Sequence, residues 1–206
     1  MKLYSPKEFS AILDILKEGS VVAIPTDTVY GLAVVSSLPG CLEKLYLLKN
    51  RPREVSIALL VADSSQVNEI ADLNDPRLNR IMEQLWPGPL TLVLDKLPET
   101  KLADFYGDDG SIGIRCPDND FVRSLASELG PLFTTSANRH GLPPATSAKE
   151  VLDQFESEKS GELLGAVVDG GICNNTPSTV IDLRKGDLKL LREGPVSIDL
   201  VTQCLK

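Results

Sequence analysis

The chain has 206 residues, of which 42% are hydrophobic and 24% charged, the balance of an ordinary globular protein. It contains no apolar run near the ~20 residues that a bilayer-spanning helix needs. Its first residues lack the apolar stretch of a signal peptide, so we expect a cytoplasmic protein that does not bind membranes. A net charge of −8 argues against a surface built mainly to bind nucleic acid.

Four cysteines and one histidine could carry thiol or zinc chemistry. No two cysteines form a C-x-x-C pair, and His140 is the only histidine, so the usual ligands of a structural zinc ion are lacking. We therefore predict no metal site and expect free, mostly buried thiols. A catalytic Cys–His pair would depend on one histidine in a loop rich in Gly and Pro, and the signal for it is weak.

The first predicted elements alternate between helix and strand. Ser5-Pro6-Lys7-Glu8 has the pattern of a capping box, and it opens a helix that Gly19 closes. In chain order, apolar runs and helical spacing then predict a strand at 20–25, a strand at 30–35, a helix through Leu42, Leu45 and Leu48 that ends before Lys49, a strand at 57–61 and a short helix at 65–71.

The alternation continues in the second half of the chain. We predict a helix from Asp75-Pro76 to residue 85, strands at 90–94 and 111–115, a helix at 120–129, a strand at 132–135, a capped helix from Ser147 to Phe155, and strands at 166–168, 179–183 and 188–192. A tight turn at Lys185-Gly186-Asp187 joins the last two strands, and the acidic stretch 156–162 is the best loop candidate. With no repeat or linker, residues 1–206 are predicted to form one mixed α/β domain.

Five segments place polar side chains beside Gly or Pro at the end of a predicted strand, where open α/β sheets bind ligands. The first is PTDTVYGL at residues 25–32. Its two threonine hydroxyls could recognise an amino acid, and Asp27 could hold a cation or metal. The alternative, which the residues alone favour, is an ordinary turn with local side-chain to backbone bonds.

The second segment carries three cations within residues 49–53: Lys49, Arg51 and Arg53. Cations at the end of a helix complement its dipole. Lysine and arginine beside a rigid proline also suit a triphosphate, which arginine can bind bidentately. The residues favour neither interpretation over the other.

The other three segments add hydroxyls, an amide and two more arginines. Ser111 and Arg115 are predicted to share one face of a strand, and an arginine within a buried strand is unexpected unless it faces a polar ligand. Hydroxyls and an amide follow at 134–138, and Ser178 precedes a strand whose returning partner carries Arg192. Each segment alone is compatible with turn or cap chemistry. Together they offer donors for anions but no nucleophile–base pair.

The strings PTDTVYGL, K-x-R-P, WPGPLT, S-x-x-x-R-x-P, TSAN, STVID and LREG occur in this order across residues 25–194. In this arrangement the chain resembles the YrdC family of threonylcarbamoyl-AMP synthases over nearly its whole length. PTDTVYGL and TSAN together with STVID are specific signals, whereas K-x-R-P or LREG alone would be weak.

The resemblance implies a strongly twisted mixed α/β sheet, flanked by helices, around a deep basic cavity. It implies a threonine site that includes Thr28, Arg115, Thr134 and Ser178. It implies an ATP site that includes Lys49, Arg51, Ser111, Ser136, Asn138, Pro144 and Arg192. Lys49 and Arg51 would act in catalysis by reaching the phosphates, and Tyr30 and Asn138 would line the cavity. Where several members of the family carry a basic or amide residue and then proline, this chain has Val55-Ser56, which puts one ATP contact in doubt.

The implied reaction condenses L-threonine, bicarbonate and ATP, with Mg²⁺, to threonylcarbamoyl-adenylate and pyrophosphate for tRNA modification. Clustered cations would assist it by bringing anions together. The chain resembles the short form of the family, which passes its product to separate transfer proteins. Two alternatives stay open: a module that binds double-stranded RNA or tRNA, and a relative with another carbamoylation role.

Overall fold

The computed structural model describes residues 1–50, 57–105, 110–139, 141–156, 162–184, 186 and 188–205. Ten strands in this part of the chain form one sheet: β1 (Lys2–Tyr4), β2 (Val21–Ile24), β3 (Gly31–Val35), β4 (Ala58–Leu60), β5 (Leu90–Asp95), β6 (Ser111–Arg115), β7 (Leu132–Ser136), β8 (Leu164–Val168), β9 (Thr179–Asp182) and β10 (Lys189–Arg192). Their spatial order is β1-β8-β2-β3-β7-β4-β6-β5-β9-β10.

The sheet is mixed, as expected. β1 and β2 both pair in parallel with β8, β4 pairs in parallel with β6, and β5 pairs in parallel with β9. The other neighbours are antiparallel. Every residue of β2 and β3 is buried, which is typical of strands that are covered on both faces.

Helices cover the sheet: α1 (Phe9–Lys17), α2 (Cys41–Lys49), α3 (Pro76–Leu85), α4 (Asp120–Leu129), α5 (Ala148–Phe155), α6 (Ile198–Cys204) and a short 3-10 helix (Ser64–Glu69). Val22 packs in the cluster formed with α1 and α4, whereas Val21 packs in the larger cluster formed with α2, α3, α5 and α6. Since successive strand residues point to opposite faces, the two clusters lie on opposite sides of the sheet. Phe9 and Phe121 join α1 to α4, with ring centroids 5.9 Å apart.

Most predicted elements are confirmed, including β6 and α4 at their predicted bounds. The first helix starts later than predicted, at Phe9. Glu8 is its N-cap residue, but the Glu8 side chain accepts no capping hydrogen bond from the amides of the first turn. Ser5 and Glu8 still interact, because the Ser5 amide donates to Glu8 Oε2 at 2.8 Å. The short helix predicted at 65–71 is a 3-10 helix shifted toward the N-terminus.

Two elements were not predicted. β1 spans three residues and is mostly exposed, so it has no apolar pattern of its own and forms because β8 offers it a parallel edge. α6 begins at a Ser197 cap, whose hydroxyl accepts from the Leu200 amide at 3.2 Å. Within the acidic stretch 156–162, residues 157–161 lie outside the described residues, as do Lys185 and Asp187 of the predicted turn.

All four cysteines are free, and Cys41, Cys116 and Cys204 are buried, which confirms the prediction of mostly buried thiols. Burial raises the pKa of the Cys116 thiol to about 11, so this thiol stays protonated at neutral pH.

His140 lies outside the described residues. Among the helices that the structure describes, none combines the length and the apolar character that crossing a membrane requires.

Candidate functional site

A cavity of about 510 Å³ lies against one face of the sheet, where alternate residues of β4, β5, β6 and β7 line it. Eight of the predicted site residues line it: Thr28, Ser111, Arg115, Thr134, Ser136, Pro144, Ser178 and Arg192. They come from β6, β7, β10 and the connections next to β3, α5 and β9. The four threonine residues and four of the seven nucleotide residues that the family resemblance implied therefore line one cavity, although the sequence separates them by up to 164 positions.

Arg115 is the most deeply buried of the charged residues that line this cavity. Its predicted strand face is confirmed, because Ser111, Gly113 and Arg115 all line the cavity. The residue is only 6% exposed. Its Nε donates to Gly88 O at 3.1 Å and one terminal nitrogen donates to Thr28 Oγ1 at 2.9 Å. Burial lowers the pKa of Arg115, and the nearby Asp27 carboxylate partly offsets that effect.

Asp27 is the counter-ion of Arg115. The second terminal nitrogen of Arg115 donates to Asp27 Oδ1. Among the described residues, Asp27 Oδ2 is buried with no hydrogen-bond partner. A buried charged pair of this kind needs fixed geometry to repay its desolvation, so Asp27 and Thr28 hold the guanidinium in one orientation beside the cavity.

The turn at residues 26–29 has both the local bonds of an ordinary turn and side chains that line the cavity. Thr26 makes the local bonds of an ordinary turn, since its hydroxyl donates to Val29 O at 2.7 Å and accepts from the Thr28 amide at 3.1 Å. The two threonine hydroxyls are 3.0 Å apart. Because the Thr26 hydrogen is used on Val29, the hydrogen between them belongs to Thr28. Both threonines line the cavity, and Thr28 is the one whose hydroxyl also accepts from Arg115.

Ser178 and Arg192 form a second polar cluster in the lining. Arg192 donates from Nε to Ser178 O at 2.9 Å and from a terminal nitrogen to Ser178 Oγ at 3.0 Å. The hydroxyls of Ser178 and Thr91 are 2.8 Å apart. Burial lowers the pKa of Arg192, and the charge of Arg115 lowers it further. Two arginines close enough to repel each other make the cavity between them favourable for an anion.

Lys49 lies behind the cavity wall and not among its lining residues. It is 4% exposed, and its Nζ donates to Thr135 Oγ1 at 3.3 Å, to Ser136 O at 2.7 Å, to Ser136 Oγ at 3.3 Å and to Asn138 Oδ1 at 2.9 Å. The Lys49 ammonium thus organises the TSAN segment whose Ser136 faces the cavity. Asn138 does not line the cavity as predicted, because its side chain accepts from Lys49 and donates to Arg139 O and Leu142 O. Arg51 lies outside the described residues.

Tyr30 lines the cavity, as predicted. Its phenol donates to Gly171 O at 2.9 Å and accepts from the Gly170 amide at 3.1 Å. Burial raises the pKa of Tyr30 to about 12, so the phenol is neutral and ties the segment after β8 to the cavity wall.

Sequence reasoning missed several contributors. Thr91 and Arg184 line the cavity, and Arg184 is paired with Asp182 at 2.8 Å. The available signals for Thr91 were its place at the end of the WPGPLT string and a single hydroxyl within the apolar run Leu90–Leu94. Close approach also needs Gly31, where a Cβ would lie 2.7 Å from the Thr134 methyl carbon.

The sequence matches the family model described as "Telomere recombination", of Sua5, YciO and YrdC, over residues 14–194. It is 31% identical to the Putative threonylcarbamoyl-AMP synthase of Methanocaldococcus jannaschii, over 99% of this chain and 97% of that protein. It is also 31% identical to the Threonylcarbamoyl-AMP synthase of Bacillus subtilis, over 89% of this chain and 52% of that protein. The chain thus spans about half the length of the Bacillus relative.

Solved structures show the same fold. Sua5 of P. abyssi complexed with L-threonine superposes with a TM-score of 0.88 at 25% identity, over 99% of this chain and 61% of that one. YciO of E. coli superposes with a TM-score of 0.82 at 23% identity, over 97% of both chains. The motif order, the residues that meet in the cavity and these matches agree, and the chain belongs to the Sua5/YciO/YrdC family.

Proposed function

We propose that this chain is a threonylcarbamoyl-AMP synthase, a nucleotidyltransferase that joins L-threonine, bicarbonate and ATP. The observation that carries the proposal is the cavity that brings Thr28, Arg115, Thr134 and Ser178 next to Ser111, Ser136 and Arg192. One concave space then offers hydroxyls for an amino acid and cations for its carboxylate and for phosphates. The names of the relatives and the L-threonine complex of Sua5 support the same assignment.

In the proposed threonine subsite, Arg115 receives the substrate carboxylate. Its three described bonds to Gly88, Thr28 and Asp27 leave two further guanidinium N–H groups, and a planar guanidinium suits a carboxylate. The Thr28 and Thr134 hydroxyls would pair with the polar side chain of threonine. Both residues are less than a tenth exposed, so a substrate without a hydroxyl would leave buried polar groups unpaired.

The proposed chemistry has two bond-forming steps. The threonine nitrogen forms a bond to the carbon of bicarbonate, and water leaves to give an N-carboxylate. An oxygen of this carboxylate then forms a bond to the α-phosphorus of ATP as the bond to pyrophosphate breaks. The main barrier is the approach of two anions, which Arg115 and Arg192 lower by electrostatic stabilisation and positioning.

Mg²⁺ would enter with ATP as part of the substrate. Its preferred ligands are oxygens, often phosphate oxygens together with one or two carboxylates. No aspartate or glutamate is among the residues that line the described cavity, and the described residues hold no cluster of three metal-binding side chains. The phosphates would therefore supply most of the ligands.

The wider role follows from the proposed product. A cytoplasmic enzyme of this kind would supply threonylcarbamoyl-adenylate to separate transfer proteins that modify tRNA. Lys49 and Arg51 would complete the phosphate end of the site, where Lys49 would either contact a phosphate or hold the TSAN segment against it. The concave shape and the volume of about 510 Å³ suit a small molecule more than an RNA duplex, which is recognised across a broad surface.

Pyrophosphate release tests the proposal. The purified protein should release pyrophosphate from Mg-ATP only when threonine and bicarbonate are both present. A module that only binds RNA predicts no release under any of these conditions. Release that is independent of threonine would point to another carbamoylation or hydrolysis reaction.

A further inference from the structure

Thr91 carries a cavity hydroxyl that the proposed chemistry does not use. It lies on β5, is 6% exposed and lines the cavity. Its hydroxyl lies 2.8 Å from the Ser178 hydroxyl. Ser178 in turn accepts from Arg192 at 3.0 Å. A chain of three polar groups therefore runs along one wall of the cavity.

The hydrogens of this chain can be placed by elimination. Arginine has donors only, so one lone pair of Ser178 Oγ is occupied by Arg192. If the amino-acid substrate binds beside Ser178, as the proposed threonine subsite has it, the Ser178 hydrogen points to that substrate. The second lone pair of Ser178 Oγ is then free to accept the hydrogen of Thr91. In this arrangement every group of the chain is satisfied, as buried polar groups require.

We propose that Thr91 is a positioning residue that fixes the Ser178 hydroxyl so that its hydrogen points to the bound amino-acid substrate. This role rests on the proposed function, because it assigns a specific donor to the threonine subsite. Thr91 would act through Ser178 and would not itself take part in bond making.

The fold explains why β5 can hold this role. The Thr179 amide donates to Pro89 O at 2.9 Å, which fixes the start of β9 against the start of β5. The same turn provides Gly88 O for Arg115. A Cβ at Gly88 would lie 2.6 Å from Leu85 O, so this turn has little freedom. The segment Gly88–Thr91 thereby supports both the Arg115 and the Ser178 sides of the cavity.

The test is calorimetric titration of L-threonine into nucleotide-free protein. Thr91→Val keeps the shape of the side chain and removes the hydroxyl, so threonine binding should weaken about fivefold, the loss of one ordinary hydrogen bond. Thr91→Ser restores a hydroxyl and should bind within about twofold of wild type. ATP affinity should change less than threonine affinity, because Arg192 keeps its bond to the Ser178 carbonyl.

A double variant separates positioning from a general loss of structure. If Thr91 acts through Ser178, Thr91→Val should weaken threonine binding no further when Ser178→Ala is already present. Additive losses would overturn the proposal, as would equal threonine affinity of Thr91→Val and wild type. If Thr91→Val does not fold, Thr91→Ala replaces it, since the smaller side chain cannot overpack. Absence of threonine binding by wild type would instead overturn the proposed function itself.

Discussion

Arg115 donates to Asp27 across 88 positions of sequence, and the pair lies almost wholly out of solvent, with side chains 7% and 13% exposed. This contact joins the turn after β2 to the end of β6 and holds the guanidinium beside the cavity. It also means that the arginine has a structural role in addition to the role proposed for it in binding.

Asp27→Asn should destabilise the protein, because it leaves a buried guanidinium without its counter-ion. We expect a loss of about 3 kcal/mol in the free energy of unfolding, measured by urea denaturation. The matched control is the exposed pair Lys149–Asp153, with side chains 82% and 58% exposed and 2.5 Å apart. Asp153→Asn should cost about 0.5 kcal/mol or less. Similar losses for the two variants would contradict the assigned role of the buried pair.

Arg115→Ala should abolish threonine-dependent pyrophosphate release. From the sequence alone, we expect the fold of this variant to stay largely intact. The contact with Asp27 predicts destabilisation as well, since the Asp27 carboxylate is left buried and unpaired. Arg115→Ala with Asp27→Ala should recover much of the stability and none of the activity. A double variant that is active would show that Arg115 serves only as a structural ion pair.

Lys49 has several oxygen acceptors in the TSAN segment, so Lys49→Ala should leave buried acceptors unsatisfied. We expect the free energy of unfolding to fall by about 2 kcal/mol and the ATP requirement to rise. Threonine binding without nucleotide should change much less. Titration of each ligand into Lys49→Ala and into Lys49→Ala with Arg51→Ala provides the comparison. Unaltered ATP affinity in both variants would remove the reason for placing phosphates at this end of the cavity.

Tyr30 gives a pH dependence with a definite sign. Its folded-state pKa is raised from 10.0 to about 12 by burial, so the unfolded chain loses the phenolic proton first. The stability that this group contributes is complete below about pH 10 and is lost as the pH rises toward 12. Urea denaturation of wild type and Tyr30→Phe at pH 9 and 11.5 measures it. The wild-type protein should lose more stability over that interval than the variant, and parallel losses would contradict the prediction.

Much of the fold follows from local patterns, because apolar runs such as Val21–Ile24 and helix caps such as Asn119 act within a few residues. β1 was missed because it has no apolar pattern of its own and becomes a strand by pairing with β8, which is distant in sequence. Sequence motifs located most polar residues of the cavity. They did not show which of these residues contact each other, because contacts between residues far apart in sequence depend on tertiary packing. The contacts of Asp27 with Arg115 and of Thr91 with Ser178 are of that kind. Thr91 ends the WPGPLT string, but a lone threonine in a strand has an ordinary β-propensity explanation, so the sequence assigned it no role in the site.

The central claim is that threonine, bicarbonate and ATP are joined in the cavity lined by Thr28, Arg115, Ser178 and Arg192. Incubation of the protein with threonine, Mg-ATP and ¹³C-labelled bicarbonate, followed by mass spectrometry of the nucleotide products, tests it most directly. The account predicts a threonylcarbamoyl-adenylate that carries the labelled carbon, formed together with pyrophosphate, and much less of the corresponding product when valine replaces threonine. Pyrophosphate or AMP without a labelled adenylate, or equal product from valine, would contradict it.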